Sequence, residues 1–360
     1  MVMGALMGVS LLVISSTTQT GEGEERFLTP MVRVQIQWFV IGWGVFFCLT
    51  ALDYQKIREW TWGIYLVVIL LLIGLFFADP IQRVQRWYRI PFIGMSLQPS
   101  EYAKLAVVIS LSWYLERRAR LSKEWSTAFS ASVIVGIPFL LILKQPDLGT
   151  ALVLFPITLV MFYFGGIRPS IIRLMCVGGS LLLLLVALIF SGIVSHEEIR
   201  PYATKVLKDY QFDRLDPETH HQRAASTAIA LGSVMGTGWK KSEYTRHGWL
   251  PAPSTDSVFP AFGEEFGLIG QLVLLALFYA LIVFSFQVTA VAKDPFGRLL
   301  SAGLTVYLAM HILVNIGMMT GLLPITGVPL VLVTYGGSSI LSSMMALGVL
   351  QSIYCRRFMF

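Results

Sequence analysis

Long apolar runs, each about the length of a membrane-spanning helix, constrain the fold of this chain more than any other feature. A helix needs roughly 20 predominantly apolar residues to cross a bilayer, whereas an outer-membrane barrel needs alternating strands of about ten residues. The runs here are continuous and of helical length. Only 13% of the 360 residues are charged, against about 25% in an ordinary globular domain. We therefore predict an all-α polytopic membrane protein.

The sequence predicts about ten spans, with boundaries good to a few residues. They cover residues 1–17, 34–52, 60–78, 99–116, 127–144, 147–165, 171–194, 261–291, 298–322 and 331–355. Between the seventh and eighth spans lies a large loop from about Ser195 to Pro260, with a helix-like stretch from Gln222 to Val234. This loop is short for an independent domain, so residues 1–360 are expected to form one transmembrane domain with an ordered cap.

The basic residues of the short connecting loops predict the orientation of the chain, because cytoplasmic loops carry an excess of Lys and Arg. The richer set lies in the even-numbered loops and the C-terminus: Lys56, Arg58, Arg117, Arg118, Arg120, Lys123, Arg168, Arg173, Lys293, Arg298, Arg356 and Arg357. Both termini are therefore expected in the cytoplasm and the large loop outside. The net charge of +6 belongs to these loops and does not indicate a nucleic-acid partner. Cys48, Cys176 and Cys355 lack paired spacing and predict neither a disulfide nor a metal site.

Glu101 and Lys104 are charged residues at the start of the fourth span, where burying a charge in the bilayer costs free energy. Their spacing of three residues puts them on one helix face. Each costs roughly 2.5–3.5 kcal/mol inside a bilayer unless it has a partner. An ion pair at a helix end and a polar cavity are both compatible with this pattern.

Three further stretches carry candidate site residues. Asp147 opens the sixth span, either as a helix cap or as a carboxylate facing an outer cavity. Arg86 and Trp87 follow Arg83 in a basic, aromatic segment that is typical of a membrane interface or of a site for a lipid diphosphate. Ser338 and Ser339 follow two glycines that interrupt an apolar run, which indicates either a small-residue packing face or backbone beside a cavity.

Asp256 lies in a proline-rich polar segment directly before the eighth span. Glu264 and Glu265 are expected in the first turn of that span, where they supply the acid that a helix N-terminus favours. Asp256 lies outside the helix, so we interpret it as a chemical group on the outer face.

Several motifs in fixed order make the chain resemble the SEDS family (shape, elongation, division and sporulation proteins), the bacterial cell-wall glycosyltransferases RodA and FtsW. The resemblance runs from about Gln35 to Arg357, and LDYQKI at 52–57 with NIGM and ITGVPL favours the RodA branch of cell elongation. The main motifs are RW at 86–87, QPSEYAKL at 98–105, QPDLGTALV at 145–153, STDSVFPAFGEEFGLIG at 254–270, NIGMMTGLLPITGVPL at 315–330 and YGGSS at 335–339.

The chain departs from the family pattern at several positions, and the Gly-Ala pair that often precedes the RW is Arg83-Val84 here. The family usually has a TDFIFA-like run where this chain has Thr255 to Pro260, so Ser257 and Pro260 are unusual. Val331 and Thr334 stand where the family expects Pro and Ser. These departures indicate a divergent lineage.

The resemblance implies an enzyme that polymerises lipid II, an undecaprenyl-diphosphate-linked disaccharide-pentapeptide, at the outer face of the bacterial cytoplasmic membrane. It implies complexes with a class B penicillin-binding protein and with other membrane proteins of the elongation machinery. The essential aspartate of the family corresponds to Asp256, and Glu101 and Lys104 match its polar central-cavity pair.

The chemistry of lipid II favours a small catalytic set, because its diphosphate leaving group is already stabilised as an anion. One general base and cations for the diphosphate are then sufficient. We predict Asp256 as the base and Lys104 and Arg86 as cations. Trp87, Glu101, Asp147, Ser338 and Ser339 complete the predicted substrate site, and a divalent cation (Mg or Mn) is an open possibility. A lipid II flippase and a non-enzymatic activator of a transpeptidase remain the alternatives.

Overall fold

The computed structural model of this chain describes residues 1–18, 27–79, 85–90, 95–145, 147–195, 200–201, 204, 212–216 and 219–358. Helices dominate them, in the following order: α1 (Val2–Thr17), α2 (Pro30–Ala51), α3 (Tyr54–Glu59), α4 (Thr61–Gly74), α5 (Pro99–Arg117), α6 (Trp125–Lys144), α7 (Leu148–Phe164), α8 (Pro169–Phe190), α9 (His220–Gly232), α10 (Glu243–Arg246), α11 (Val258–Val291), α12 (Pro295–Met319) and α13 (Gly337–Cys355). Short 3-10 turns lie at Leu75–Phe77, Ala119–Leu121 and Asp213–Leu215. Arg83 lies outside the described residues.

Each predicted span corresponds to one of these helices. Six of them are long and apolar enough to cross a membrane: α2, α6, α8, α11, α12 and α13. Shorter apolar helices occupy Val2–Thr17, Thr61–Phe77 and Gly149–Phe164. The remaining span is α5, which carries the buried charges Glu101 and Lys104. The prediction of an all-α, multi-pass membrane protein is confirmed.

The structure corrects three local expectations. Helix α13 begins at Gly337 and not near 331, so Ser338 and Ser339 lie in its first turn and the glycines do not interrupt a helix. Helix α11 begins at Val258, which places Glu264 and Glu265 beyond its first turn. A two-stranded antiparallel hairpin, β1 (Tyr88–Ile90) and β2 (Met95–Leu97), lies just before α5 and was not predicted.

The chain divides into two compact units, each assembled from three segments. Unit 1 comprises Met1–Phe39, Gly179–Leu281 and His311–Gly336. Unit 2 comprises Val40–Gly178, Ile282–Met310 and Gly337–Phe360.

In unit 1, α11 is broken at Gly267, whose φ of 63° and ψ of −165° are not helical. The segment after α9 bonds the backbone groups around this break. Thr237 N donates to Glu264 O (2.9 Å) and Gly238 N to Glu265 O (3.0 Å), while Leu268 N donates to Ser233 O (2.9 Å). A break at membrane depth is tolerated when the freed backbone groups are bonded by neighbouring protein in this way.

The carboxylates of Glu264 and Glu265 fasten the large loop to α11. Glu264 accepts from Tyr244 N (2.9 Å), Thr245 N (3.1 Å) and Thr245 Oγ1 (2.5 Å). Glu265 accepts from Lys240 N (3.2 Å) and Ser242 Oγ (3.3 Å). Their exposures are 1% and 2%, so these bonds replace the water that a buried carboxylate loses. The two acids anchor the loop and do not serve as helix-end charges.

In unit 2, α5 is the central helix. It packs against α4, α6, α7 and α13. Most of its side chains from Pro99 to Ser112 are buried, so any group on α5 is held by neighbours on several sides.

Candidate functional site

Asp256 lies in unit 1 on the short segment that leads into α11, and its side chain is half-buried. Hydrogen bonds hold the backbone on both sides of it. Tyr335 N donates to Ser254 O (2.9 Å) and Thr334 Oγ1 to Thr255 O (3.2 Å). Asn315 Nδ2 donates to the carbonyl of Asp256 itself (3.2 Å) and to Val328 O (2.8 Å). The backbone at Asp256 is therefore held by Asn315 of the NIGMM motif and by Thr334 and Tyr335.

Gly327 lies against the Asp256 carboxylate. A Cβ added at this glycine would lie 3.5 Å from Asp256 Oδ2, and its φ of +75° is one that L-residues with side chains rarely adopt. The glycine of the ITGVPL motif is therefore needed for its backbone conformation beside the carboxylate.

Two of the departures from the family pattern have physical explanations here. Thr334, in place of Ser, keeps a hydroxyl that accepts from Leu330 N (2.8 Å) and donates to Thr255 O. Pro260 is the third residue of α11, where a backbone N–H has no partner within the helix and its loss costs little. Val331 is fully buried, and nothing in the structure explains the absence of proline there.

His221 is a residue near Asp256 that the sequence analysis missed. It lies in the first turn of α9, and its Nε2 is 2.7 Å from Ser257 Oγ. Burial lowers the pKa of the His221 imidazole, and the Asp256 carboxylate opposes that shift. His221 is one of two adjacent histidines in a polar loop, and nothing in the sequence signals this contact.

Unit 2 contains the other predicted site residues. Lys104 Nζ lies 2.8 Å from Glu101 Oε1, and the two side chains are 0% and 2% exposed. Glu101 Oε2 accepts from Ser342 Oγ (3.4 Å), and Lys104 Nζ lies 5.5 Å from the centre of the Tyr307 ring. The predicted pairing is confirmed, and the pair is fully buried.

Asp147 and Ser338 join the starts of three elements in unit 2. Asp147 caps α7 by accepting from Thr150 N (3.3 Å) and also accepts from Ser100 Oγ (3.0 Å) and Gln98 Nε2 (3.2 Å). Ser338 Oγ accepts from Gln98 N (3.0 Å) and donates to Ser96 O (3.1 Å). Ser339 is buried in the same first turn of α13. These contacts fix the start of α5, and hence the position of Glu101.

Arg86 and Trp87 lie on the approach to β1, and both are half-buried. Arg86 Nε donates to Gln145 O (3.2 Å), and Gln145 Nε2 donates to Leu72 O (2.7 Å). Arg86 is thus fastened to the turn that precedes Asp147.

An apolar cavity of about 410 Å³ lies beside the polar pair in unit 2. Its walls include Tyr102, Leu105, Ala106 and Ile109 of α5 together with apolar residues of α2, α4, α12 and α13. One face of α5 therefore carries the ion pair, and another face lines an apolar space.

The described residues contain no group of three or more His, Cys, Asp or Glu placed to hold a metal ion.

The sequence is similar throughout to known cell-wall proteins. It matches the FtsW/RodA/SpoVE cell cycle protein family over residues 1–357. It is 32% identical to the probable peptidoglycan glycosyltransferase FtsW of Geobacter metallireducens, over 88% of this chain and 83% of that one. It is 30% identical to the peptidoglycan glycosyltransferase MrdB of Escherichia coli, over 98% and 91%.

Solved structures share the fold. A chain of a peptidoglycan synthase complex has a TM-score of 0.77 at 24% identity, with 100% of this chain and 97% of that one covered. The rod shape determining protein RodA of Thermus thermophilus has a TM-score of 0.71 at 24% identity, with 100% and 96% covered.

Proposed function

The chain belongs to the FtsW/RodA/SpoVE family and is a peptidoglycan glycosyltransferase, and we propose that Asp256 is its general base. The proposed substrate is lipid II, whose sugar is carried on an undecaprenyl diphosphate. The acceptor is the 4-hydroxyl of a GlcNAc residue, which attacks the anomeric carbon of the donor with inversion.

The proposed reaction needs a base more than an acid. The acceptor hydroxyl loses its proton to Asp256 as the new glycosidic bond forms, and the bond to the diphosphate breaks. A diphosphate leaves as a stable anion, so the second carboxylic acid that glycoside hydrolysis requires for an alkoxide has no role here. A correctly placed base contributes about 10²–10⁴-fold to such a reaction.

The observation that carries this assignment is the way Asp256 is held. Its backbone is bonded by Asn315 and flanked by bonds from Thr334 and Tyr335, yet its side chain is only half-buried. A fixed backbone with an accessible carboxylate suits a base, because a base must keep its position and still reach a substrate. Asp147, Glu264 and Glu265 are buried, whereas Asp256 is half-buried.

We assign the diphosphate to the cations of unit 2. Lys104 carries a positive charge beside Glu101, and an ammonium group is a common point-charge partner for phosphate. Arg86 presents a planar guanidinium that matches phosphate oxygens. Glu101 orients Lys104, while Asp147, Trp87, Ser338 and Ser339 shape the surrounding site.

The apolar cavity beside α5 supports a lipid-linked substrate. An amphiphile needs a charged site for its head and an apolar site for its chain, and α5 lines one of each. We propose that a segment of the polyprenyl chain occupies this cavity.

The proposed setting is the bacterial cytoplasmic membrane during cell elongation. Both termini face the cytoplasm, and the large loop and active site face outward. A class B penicillin-binding protein is the proposed partner, with other membrane proteins of the elongation complex, and it cross-links the strands that this chain makes.

Asp256→Asn tests the base assignment. The amide keeps the size of the side chain but has no proton affinity at neutral pH, so the initial rate of glycan formation from purified lipid II should fall by about 10²–10⁴-fold. Co-purification with the partner and the thermal midpoint should stay unchanged.

Glu243→Gln is the matched control, because Glu243 is an exposed carboxylate of the same loop. It should polymerise lipid II at the wild-type rate. Robust polymerisation by Asp256→Asn would overturn the assignment of the base.

A further inference from the structure

The cap at the start of α11 is unusual and lies directly beside Asp256. Ser257 is the N-cap residue, since its carbonyl accepts the first bond of the helix from Ala261 N (3.1 Å). An N-cap hydroxyl ordinarily accepts from the N–H two or three positions later. The residue three positions after Ser257 is Pro260, which has no N–H.

His221 contacts this hydroxyl. Its Nε2 lies 2.7 Å from Ser257 Oγ, and Ser257 is fully buried. Ser257 and Pro260, both departures from the family pattern, are thus connected. Ser257 supplies a hydroxyl, and Pro260 has no N–H to donate to it. His221 on α9 forms a hydrogen bond with the Ser257 hydroxyl instead.

The same imidazole interacts electrostatically with Asp256. The carboxylate raises the proton affinity of His221, against a larger opposing effect of burial. Interactions of this kind are reciprocal, so a protonated His221 must lower the proton affinity of Asp256. A carboxylate beside a cation is a weaker base.

We propose that His221 is a positioning residue for the catalytic base. It holds the backbone at Asp256 through the Ser257 hydroxyl. As a neutral ring, His221 also leaves the Asp256 carboxylate at full basicity. Protonation of the ring weakens the base, so the enzyme loses activity on acidification through His221 as well as through Asp256 itself. This inference rests on the proposed role of Asp256.

Two titratable groups interact electrostatically with the His221 ring. Asp256 faces it from the segment before α11, and His220 precedes it on α9. Arg214, on the turn before α9, donates to Thr326 O (3.3 Å), next to the glycine that lies against Asp256. Among these side-chain types, only imidazole ordinarily titrates near neutrality.

The test is a pH profile of lipid II polymerisation for His221→Gln and His221→Ala, measured at saturating substrate between about pH 5 and 8, where an ordinary histidine titrates. Glutamine can still bond the Ser257 hydroxyl but does not titrate. We expect its profile to lose part of the acid limb and to stay flat to lower pH than the wild type. Alanine can neither bond the Ser257 hydroxyl nor titrate, so kcat should fall by up to about 10²-fold with KM unchanged, as expected for a misplaced catalytic group.

His220→Gln is the matched control, because His220 is the exposed neighbour on the same helix. Its profile should superimpose on that of the wild type. Ser257→Ala provides a second variant: it removes the bond but keeps the titrating ring, so it should lower kcat and preserve the wild-type acid limb.

The inference is overturned if the profile of His221→Gln superimposes on that of the wild type, or if His220→Gln shifts the profile equally. Failure of the underlying assignment has a different signature. In that case Asp256→Asn itself polymerises lipid II, whatever the His221 variants do.

Discussion

At the scale of single residues, the Glu101–Lys104 pair has both a structural and a proposed functional role. Removing one partner leaves an uncompensated buried charge, whereas replacing both leaves none. Lys104→Met alone should therefore lower the free energy of unfolding by about 3–5 kcal/mol. Glu101→Gln combined with Lys104→Met should recover most of that loss, as measured by thermal unfolding in detergent.

The double variant separates the two roles. If the pair serves the substrate, the stable double variant remains unable to polymerise lipid II. A double variant as unstable as Lys104→Met would show that the loss arises from packing and not from the charge.

At the scale of elements, the break in α11 depends on close backbone approach. A Cβ on Gly236 would lie 2.1 Å from the carbonyl oxygen of Glu265 and would meet backbone that cannot move aside. Its φ of +80° adds conformational strain to that clash.

Gly236→Ala should therefore detach the loop from α11 and lower the thermal midpoint and the yield of monodisperse protein. Gly8→Ala in α1 is the control, because a Cβ there meets nothing within 4 Å. Alanine also favours the helix over glycine, so the control should be neutral or slightly stabilising. Equal behaviour of the two variants would contradict the close-packing explanation.

The sequence was sufficient for the helices because span length and apolar composition are local properties. It also identified the Glu101–Lys104 pair, whose members are three residues apart. It failed where partners are distant in the chain. Glu264 appeared to be a helix-end acid, but its partners are Tyr244 and Thr245, some twenty residues earlier. The contact between His221 and Ser257 spans 36 positions and has no local signal.

At the scale of the whole molecule, the proposed orientation of the membrane protein can be tested with its own cysteines. Cys48, Cys176 and Cys355 are free and exposed. With Cys48 and Cys176 replaced by serine, Cys355 should react with a membrane-impermeant maleimide only after the membrane is opened, because the C-terminus is predicted to be cytoplasmic.

Glu243→Cys reports on the opposite side. In a chain with all three native cysteines replaced by serine, this exposed loop position should be labelled in intact spheroplasts. The reverse labelling pattern would show that the chain has the opposite orientation.

The interleaving of the two units has a consequence for the timing of synthesis. Unit 1 begins with Met1–Phe39 and resumes only at Gly179, an interval of about 7–28 s at translation rates of about 5–20 residues per second. During that time we expect α1 and α2 to lie in the bilayer as a helix pair, without the rest of unit 1. The bond from Gln35 Nε2 to Ser10 Oγ (3.1 Å) can form at once. The second bond of Gln35, to the carbonyl of Thr334 (3.3 Å), cannot form until residue 334 has left the ribosome.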